Sequence, residues 1–193
     1  MTILVLGLVL FLGVHSVRIV ADDWRIRQLA KHGEGRWKGL YSVVSVIGFL
    51  LIIWGYGLAR ADPIVIWNPP GWTRHVTALL TIPAFILLVA AYVPRNAITS
   101  RLHHPMILGV KTWAFAHLLA NGTLADMLLF GSFLAWAVLD FRSARRRDRA
   151  GERIYLTGTG GGTIAAVVIG LVAWALFAFW LHAAWIGVSP FGR

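Results

Sequence analysis

The chain has 193 residues, of which 58% are hydrophobic and 13% are charged, whereas a soluble domain is typically about 45–50% apolar and about 25% charged. Its apolar residues occur in long runs, and no charged residue lies between Ile154 and Gly192, so an ordinary soluble domain is excluded and an integral membrane protein is predicted. The chain contains no cysteine, which excludes disulfides, thiolate ligands and a cysteine nucleophile.

Six apolar runs are predicted to cross the lipid bilayer as helices, at residues 2–20, 39–59, 75–93, 106–121, 124–141 and 163–188. The first run lacks the basic region and the small-residue cleavage site of a signal peptide, so we expect it to be a retained span. These runs predict an all-α fold, a polytopic bundle of about six transmembrane helices that forms a single domain over residues 1–193.

The positive charges indicate how the chain is oriented. Lys and Arg number five in residues 21–38, two in 94–104 and six in 142–158, but only two in 59–74 and one in the tail. Cytoplasmic loops collect these residues, so 94–104 and 142–158 are both expected to face the cytoplasm, and an even number of crossings must separate them. Residues 106–141 are therefore predicted to form a hairpin that turns at Asn121-Gly122. Both termini are then expected on the outer side of the membrane.

The net charge of +10 would suggest a nucleic-acid partner if the protein were soluble. In a membrane protein, most of this positive charge is explained by the lysines and arginines that set the orientation of the spans. Contact with anionic lipids is an additional effect. We expect no nucleic-acid partner.

The segment "MILGVKTWAFAHLLANGTLADMLLF" (106–130) places four polar side chains among apolar ones. Ionisable groups inside a membrane are costly and mark functional sites. Lys111 is expected to extend to the inner interface, and Asn121 to lie in the turn and cap the next helix. For Asp126 two roles are open: an acid favoured by the helix dipole in the first turn, or a partner for the second ring nitrogen of His117.

Three histidines lie well within predicted spans: His15, His117 and His182. Neutral imidazole is a common ligand of haem and metals, and two histidines from different spans could hold a haem. His104 and His117 cannot ligate one iron on a continuous helix, because thirteen residues place them roughly 20 Å apart. Alternatively, each histidine hydrogen-bonds a neighbouring helix, and no close-spaced ligand motif decides between the two roles.

Several blocks resemble one family: "LFLGVHSVRIV" (10–20), "GRWKGLYSVVSVIGFLLIIWGYG" (35–57), "RLHHPMILGVKTWAFAHLLANGTLADMLLFGSFLAWAVLDFRS" (101–143) and "IGVSPF" (186–191). Together they are similar to the NnrU family of bacterial membrane proteins, which implies a bacterial inner membrane with both termini periplasmic. That family is named for a link to nitrite and nitric oxide metabolism in denitrifiers, and it is similar to 15-cis-zeta-carotene isomerase, a membrane enzyme that uses haem b.

The resemblance implies haem b with His15 and His117 as axial ligands, while the histidine of the "HP" motif matches His104. His104, Lys111, Asn121 and Asp126 are expected to support this site. His182 is an alternative ligand, because it is nearer to His117 in predicted depth. No catalytic side chain is assigned.

Two functions of different classes are open. The first is a haem-dependent cis–trans isomerase of a hydrophobic polyene, in which the iron performs the chemistry and the protein supplies ligands and a dry slot. The second is a non-enzymatic accessory protein that supports respiratory or denitrification membrane proteins, the nitrite and nitric oxide reductases. A transporter is less favoured, because paired interrupted helices in matching halves are not seen in the sequence.

Overall fold

The computed structural model describes residues 1–191, and within this range the chain is helical with no β-strand. The elements in order are α1 (Thr2–Val20), α2 (Asp22–His32), α3 (Glu34–Ala61), α4 (Thr73–Ala90), α5 (Ala97–Leu102), α6 (Pro105–Ala120), α7 (Leu124–Ala150), α8 (Gly160–Leu176) and a π-helix (Phe177–Ile186). The predicted helical membrane bundle is confirmed.

Each predicted span corresponds to a helix, and the last corresponds to α8 together with the π-helix. Within the described residues, five of the helices are long and apolar enough to cross a membrane. The sixth, α6, has 16 residues and is about 24 Å long, which is shorter than the roughly 30 Å of a hydrocarbon core. Two short helices, α2 and α5, were not predicted, because they lie in polar segments that carry no transmembrane signal.

The predicted hairpin is present and lies at one end of the bundle. The backbone N–H groups of Ile66 and Trp67 donate to the carbonyl oxygen of Gly122 at 2.8 and 3.1 Å. The N–H of Leu124 donates to the carbonyl of Ile64 at 2.8 Å. The connection between α3 and α4 therefore lies beside the turn between α6 and α7, and we call this the hairpin end.

The basic segments meet at the opposite end, which we call the arginine end. There the N–H of Thr159 donates to the carbonyl of Arg95 at 2.6 Å, and Arg147 donates to the carbonyl of Arg18 at 3.3 Å. Residues 94–104 and 142–158 thus lie on one side of the bundle, as the even number of crossings requires. That this side faces the cytoplasm stays a prediction.

The six long helices pack in the order α3, α1, α7, α6, α4, α8. The contact between α1 and α3 is a backbone contact: a Cβ built on Gly48 would lie 2.7 Å from the nitrogen of Phe11, and one on Gly7 would lie 2.6 Å from that of Ile52. Close approach at small residues is the usual means of helix association in lipid. Large apolar side chains such as Leu50 and Val168 are exposed on the outer surface, which suits contact with lipid.

The topology can be measured with reporter fusions. We expect fusions after His104 and after Arg149 to report the cytoplasm and a fusion at Gly122 to report the opposite side, because the structure places the first two at the arginine end and the third at the hairpin end. A reporter at Gly122 that lies on the same side as one at Arg149 would contradict the hairpin.

Candidate functional site

A cavity of about 390 Å³ lies between α4, α6 and the last helix, and we call it cavity A. α6 and α8 both pack on α4. Cavity A is lined by two histidines, His117 of α6 and His182 of the π-helix, and by largely apolar neighbours, among them Ala78, Phe85, Leu88, Val110, Trp113, Trp174 and Phe177. Arg74 and Asn121, near the hairpin end, also line it.

Both histidines of cavity A are held in one tautomer. Nδ1 of His117 is 2.9 Å from the carbonyl oxygen of Trp113, and Nδ1 of His182 is 2.6 Å from that of Val188. A carbonyl oxygen only accepts, so in each ring Nδ1 carries the proton and Nε2 keeps its lone pair. Neither Nε2 atom has a hydrogen-bond partner among residues 1–191. A histidine fixed through one nitrogen with the other free is the arrangement of a metal-ligating histidine.

The immediate surroundings of the two histidines differ. His117 lies one turn from the end of α6, stacked on Phe130 with ring centroids 4.7 Å apart and beside Trp113 at 5.2 Å. His182 lies in a π-helix of 10 residues, a rare conformation that occurs frequently at functional sites. The acceptor of its Nδ1, Val188, lies beyond that helix, so the chain after Ile186 helps to orient His182.

His15, the other predicted ligand, lies at a different cavity. It lines a larger volume of about 960 Å³ toward the arginine end, which we call cavity B. Its Nδ1 is 2.6 Å from the carbonyl oxygen of Phe11. Nδ1 therefore carries the proton here too, and Nε2 keeps its lone pair. The structure therefore brings together His117 and His182 and places His15 apart from them.

Three aromatic rings lie in a row between His15 and His117. Phe11 stacks on His15 at 4.2 Å, Phe133 lies 5.8 Å from Phe11, and Trp113 lies 5.7 Å from Phe133. Trp113 in turn contacts His117. These contacts form a continuous series of packed rings from His15, which lines cavity B, to His117, which lines cavity A.

Contrary to the prediction from the sequence, the helix after the hairpin turn is not capped by Asn121. Asn121 does not cap the next helix: its Nδ2 donates to the carbonyl of His117 at 2.8 Å and so closes α6. The cap of α7 is Thr123, whose hydroxyl accepts from the N–H of Asp126, while the Asp126 carboxylate accepts from the N–H of Thr123 at 3.0 Å. Thr-x-x-Asp is a capping box, and the first-turn role predicted for Asp126 is confirmed.

Asp126 also accepts a hydrogen bond from a distant residue. The hydroxyl of Tyr56 on α3 donates to its Oδ1 at 2.6 Å, and Asp126 is only 5% exposed. No hydrogen bond joins Asp126 to His117 within the described residues. The carboxylate therefore joins α7 to α3, and no signal in the sequence pointed to Tyr56.

The remaining predicted site residues lie toward the arginine end. His104 is the residue before Pro105 at the start of α6, and its Nε2 lies 2.8 Å from Oδ2 of Asp148. Lys111 is half-buried on α6 and lines neither cavity A nor cavity B. Asp140 on α7 lies 3.8 Å from Arg147.

The bond between Tyr56 and Asp126 gives a prediction about stability. We expect Asp126→Ala to lower the unfolding free energy by about 2 kcal/mol, because it removes a helix cap and leaves a buried hydroxyl without an acceptor. Tyr56→Phe should cost about 1 kcal/mol alone and almost nothing in the Asp126→Ala background. Thermal unfolding in detergent would measure this, with the exposed first-turn acid Asp23→Ala as control. Additive losses in the double variant would show that the two side chains do not interact.

Comparison with known proteins places the chain in a family. A family model described as NnrU protein matches residues 3–190, nearly the whole chain. The chain belongs to the NnrU family. No curated protein and no solved structure matches it, so the histidines of this NnrU protein are interpreted from its own geometry.

Proposed function

We propose that this NnrU protein binds haem b in cavity A, where His117 and His182 would hold it. The observation that carries the proposal is that two intramembrane imidazoles with free Nε2 atoms line one apolar cavity. Of the three histidines that the sequence offered as ligands, these two alone share a cavity within the described residues.

The donor set fits haem better than a bare metal ion. No group of three or more His, Cys, Asp or Glu side chains that could hold a metal ion is present in residues 1–191. A porphyrin supplies four nitrogen ligands of its own and needs only one or two from the protein. Two histidines are therefore sufficient for a haem and insufficient for a typical zinc site.

The walls of cavity A also suit a haem. Trp113, Phe85 and Phe177 give apolar and aromatic surface for the macrocycle. Arg74, which follows the first residue of α4 at the hairpin end, gives a cation for a carboxylate on a ligand in the cavity. The pair of His15 and His117 is less favourable, because the rings of Phe11, Phe133 and Trp113 occupy the space between them.

We further propose that the substrate is an apolar molecule that enters from the lipid, of the class of hydrophobic polyenes. The lining of cavity A is mainly hydrocarbon and aromatic, which favours such a molecule over a small anion such as nitrite. Bound haem would supply the iron chemistry by which a cis double bond is converted to trans. The chain would hold the polyene against the aromatic walls and exclude water.

The two histidines of cavity A differ in how firmly the chain holds them. His117 is enclosed by Trp113 and Phe130 within the bundle. His182 lies in the π-helix and is oriented by the carbonyl of Val188. With haem bound, His182 would therefore be the less enclosed of the two and the one able to make room for a substrate.

The test is a visible absorption spectrum of the protein purified in detergent from cells supplied with a haem precursor. We expect a Soret band that shifts on reduction with dithionite and a pyridine haemochrome of haem b at one haem per chain. A folded protein without these bands would overturn the proposal. Conversion of a cis-carotenoid by the reduced protein, followed by chromatography, would then test the substrate class.

A further inference from the structure

Cavity B lies at the arginine end between α1, the start of α3, the start of α6 and α7, and its rim is basic. Its volume is about 960 Å³, at the upper end of the range of about 300–1,000 Å³ that is usual for ligand sites. The cationic residues that line it are Arg18, Arg25, Lys38, Arg147 and Arg153, and the acidic ones are Glu34, Asp140 and Asp148.

The carboxylates that line cavity B already have partners, and some of the cations on its rim have no carboxylate near them. Glu34 pairs with Lys38 at 2.8 Å, and Asp140 lies 3.8 Å from Arg147. Within residues 1–191 no carboxylate lies within ion-pair distance of Arg18 or Arg153.

Asp148 is satisfied by other partners. It accepts hydrogen bonds from the hydroxyl of Tyr155 at 2.7 Å and from the ring of His104 at 2.8 Å. Burial, together with the hydrogen bond to Asp148, raises the pKa of Tyr155 above its usual value. Tyr155 therefore stays a neutral donor at physiological pH, and Asp148 is not available to Arg18 or Arg153.

Apolar side chains also line cavity B: Val14, Val17, Met106 and Ile107. The lining further includes the polar side chains of His15 and Tyr41. The cavity thus has both cationic and hydrocarbon surface. Such a lining suits an anionic amphiphile better than a soluble anion.

We propose that cavity B binds one anionic phospholipid, with its phosphate at Arg18 and an acyl chain along Val14 and Ile107. Basic pockets between transmembrane helices are known to hold anionic headgroups, and guanidinium groups bind phosphate through paired hydrogen bonds. This site differs from general attraction of loop arginines to the membrane surface. The exposed Arg27, for example, has the same charge but does not line the cavity.

Native mass spectrometry of the delipidated protein in detergent can count bound lipids. The probes are dioleoyl phosphatidylglycerol, dioleoyl phosphatidylcholine with the same chains, and glycerol 3-phosphate as a headgroup without chains. We expect one tightly retained phosphatidylglycerol, weaker retention of phosphatidylcholine and no retention of glycerol 3-phosphate. Equal binding of the two lipids, or retention of glycerol 3-phosphate, would overturn the proposal.

Three variants locate the site. Arg18→Gln should weaken phosphatidylglycerol binding about five-fold, the effect of about 1 kcal/mol per cation near a lipid headgroup, while the control Arg27→Gln should not. Val14→Phe, which leaves all charges in place, should also reduce retention by filling the apolar part. Unchanged binding in Arg18→Gln and Val14→Phe would place the lipid elsewhere. A haem bound through His15 and lost in His15→Ala would assign cavity B to the cofactor and overturn the lipid proposal.

Discussion

Replacement of His117 or His182 by alanine is expected to abolish haem binding, whereas His15→Ala is expected to retain it. Each of the first two variants removes one imidazole from cavity A and leaves an iron with at most one protein ligand. His15 lies beyond Phe11, Phe133 and Trp113 and does not face the same cavity. Loss of a group that only orients a ligand costs about 10–100-fold in metal affinity, so loss of a ligand should cost more.

The measurement is the haem content and reduced spectrum of each variant after purification. Exposed His75, near the hairpin end and outside cavity A, gives a matched control as His75→Ala. Added imidazole should restore a spectrum in His117→Ala or His182→Ala if the space left by the side chain is intact. Haem loss in His15→Ala with retention in His182→Ala would instead establish the pair implied by the family resemblance.

The order of the spans, and which loops share one end of the bundle, could be predicted because each rests on a strong local signal. Twenty apolar residues can cross a bilayer only as a helix, and the charges of 94–104 and 142–158 required the hairpin at Gly122. The short helices α2 and α5 were missed for the same reason, since hydropathy reports membrane segments and not helices in polar segments.

The cavity could not be predicted, because it depends on which helices are neighbours. Nothing in the sequence states that α4 lies between α6 and α8, and this packing is what brings His117 and His182 to one cavity. The depth of His182 did suggest it as an alternative ligand. No pattern in the sequence indicates that His182 lies in a π-helix. None indicates its hydrogen bond to Val188.

The sequence of the turn at residues 121–126 contained the capping signal of α7, but the prediction assigned the cap to the wrong residue. Asn121 was expected to cap α7, but the Thr123–Asp126 pair has the spacing of a capping box. With that pair in place, Asn121 instead closes α6 through the carbonyl of His117. The C-terminal cap of α6 and the N-terminal cap of α7 lie within the same few residues. The three-residue spacing from Thr123 to Asp126 shows which residue caps α7.

Gly55→Ala is expected to destabilise the protein strongly, and Gly57→Ala is expected not to. A Cβ on Gly55 would lie 2.3 Å from the backbone nitrogen and 2.6 Å from the Cα of Leu4, and Leu4 is fully buried. These atoms are backbone and cannot rotate away, so α1 and α3 would have to separate and lose contact along their length.

The expected cost of Gly55→Ala is at least the 1–3 kcal/mol or so of an overpacked core. The control is on the same helix: a Cβ on Gly57 meets nothing within 4 Å, and alanine there should gain up to about 1 kcal/mol of helix propensity. Unfolding of both variants in one detergent, followed by circular dichroism, measures the difference. Since the two substitutions are chemically identical and two residues apart, equal midpoints would mean that α1 and α3 are not in backbone contact at Gly55.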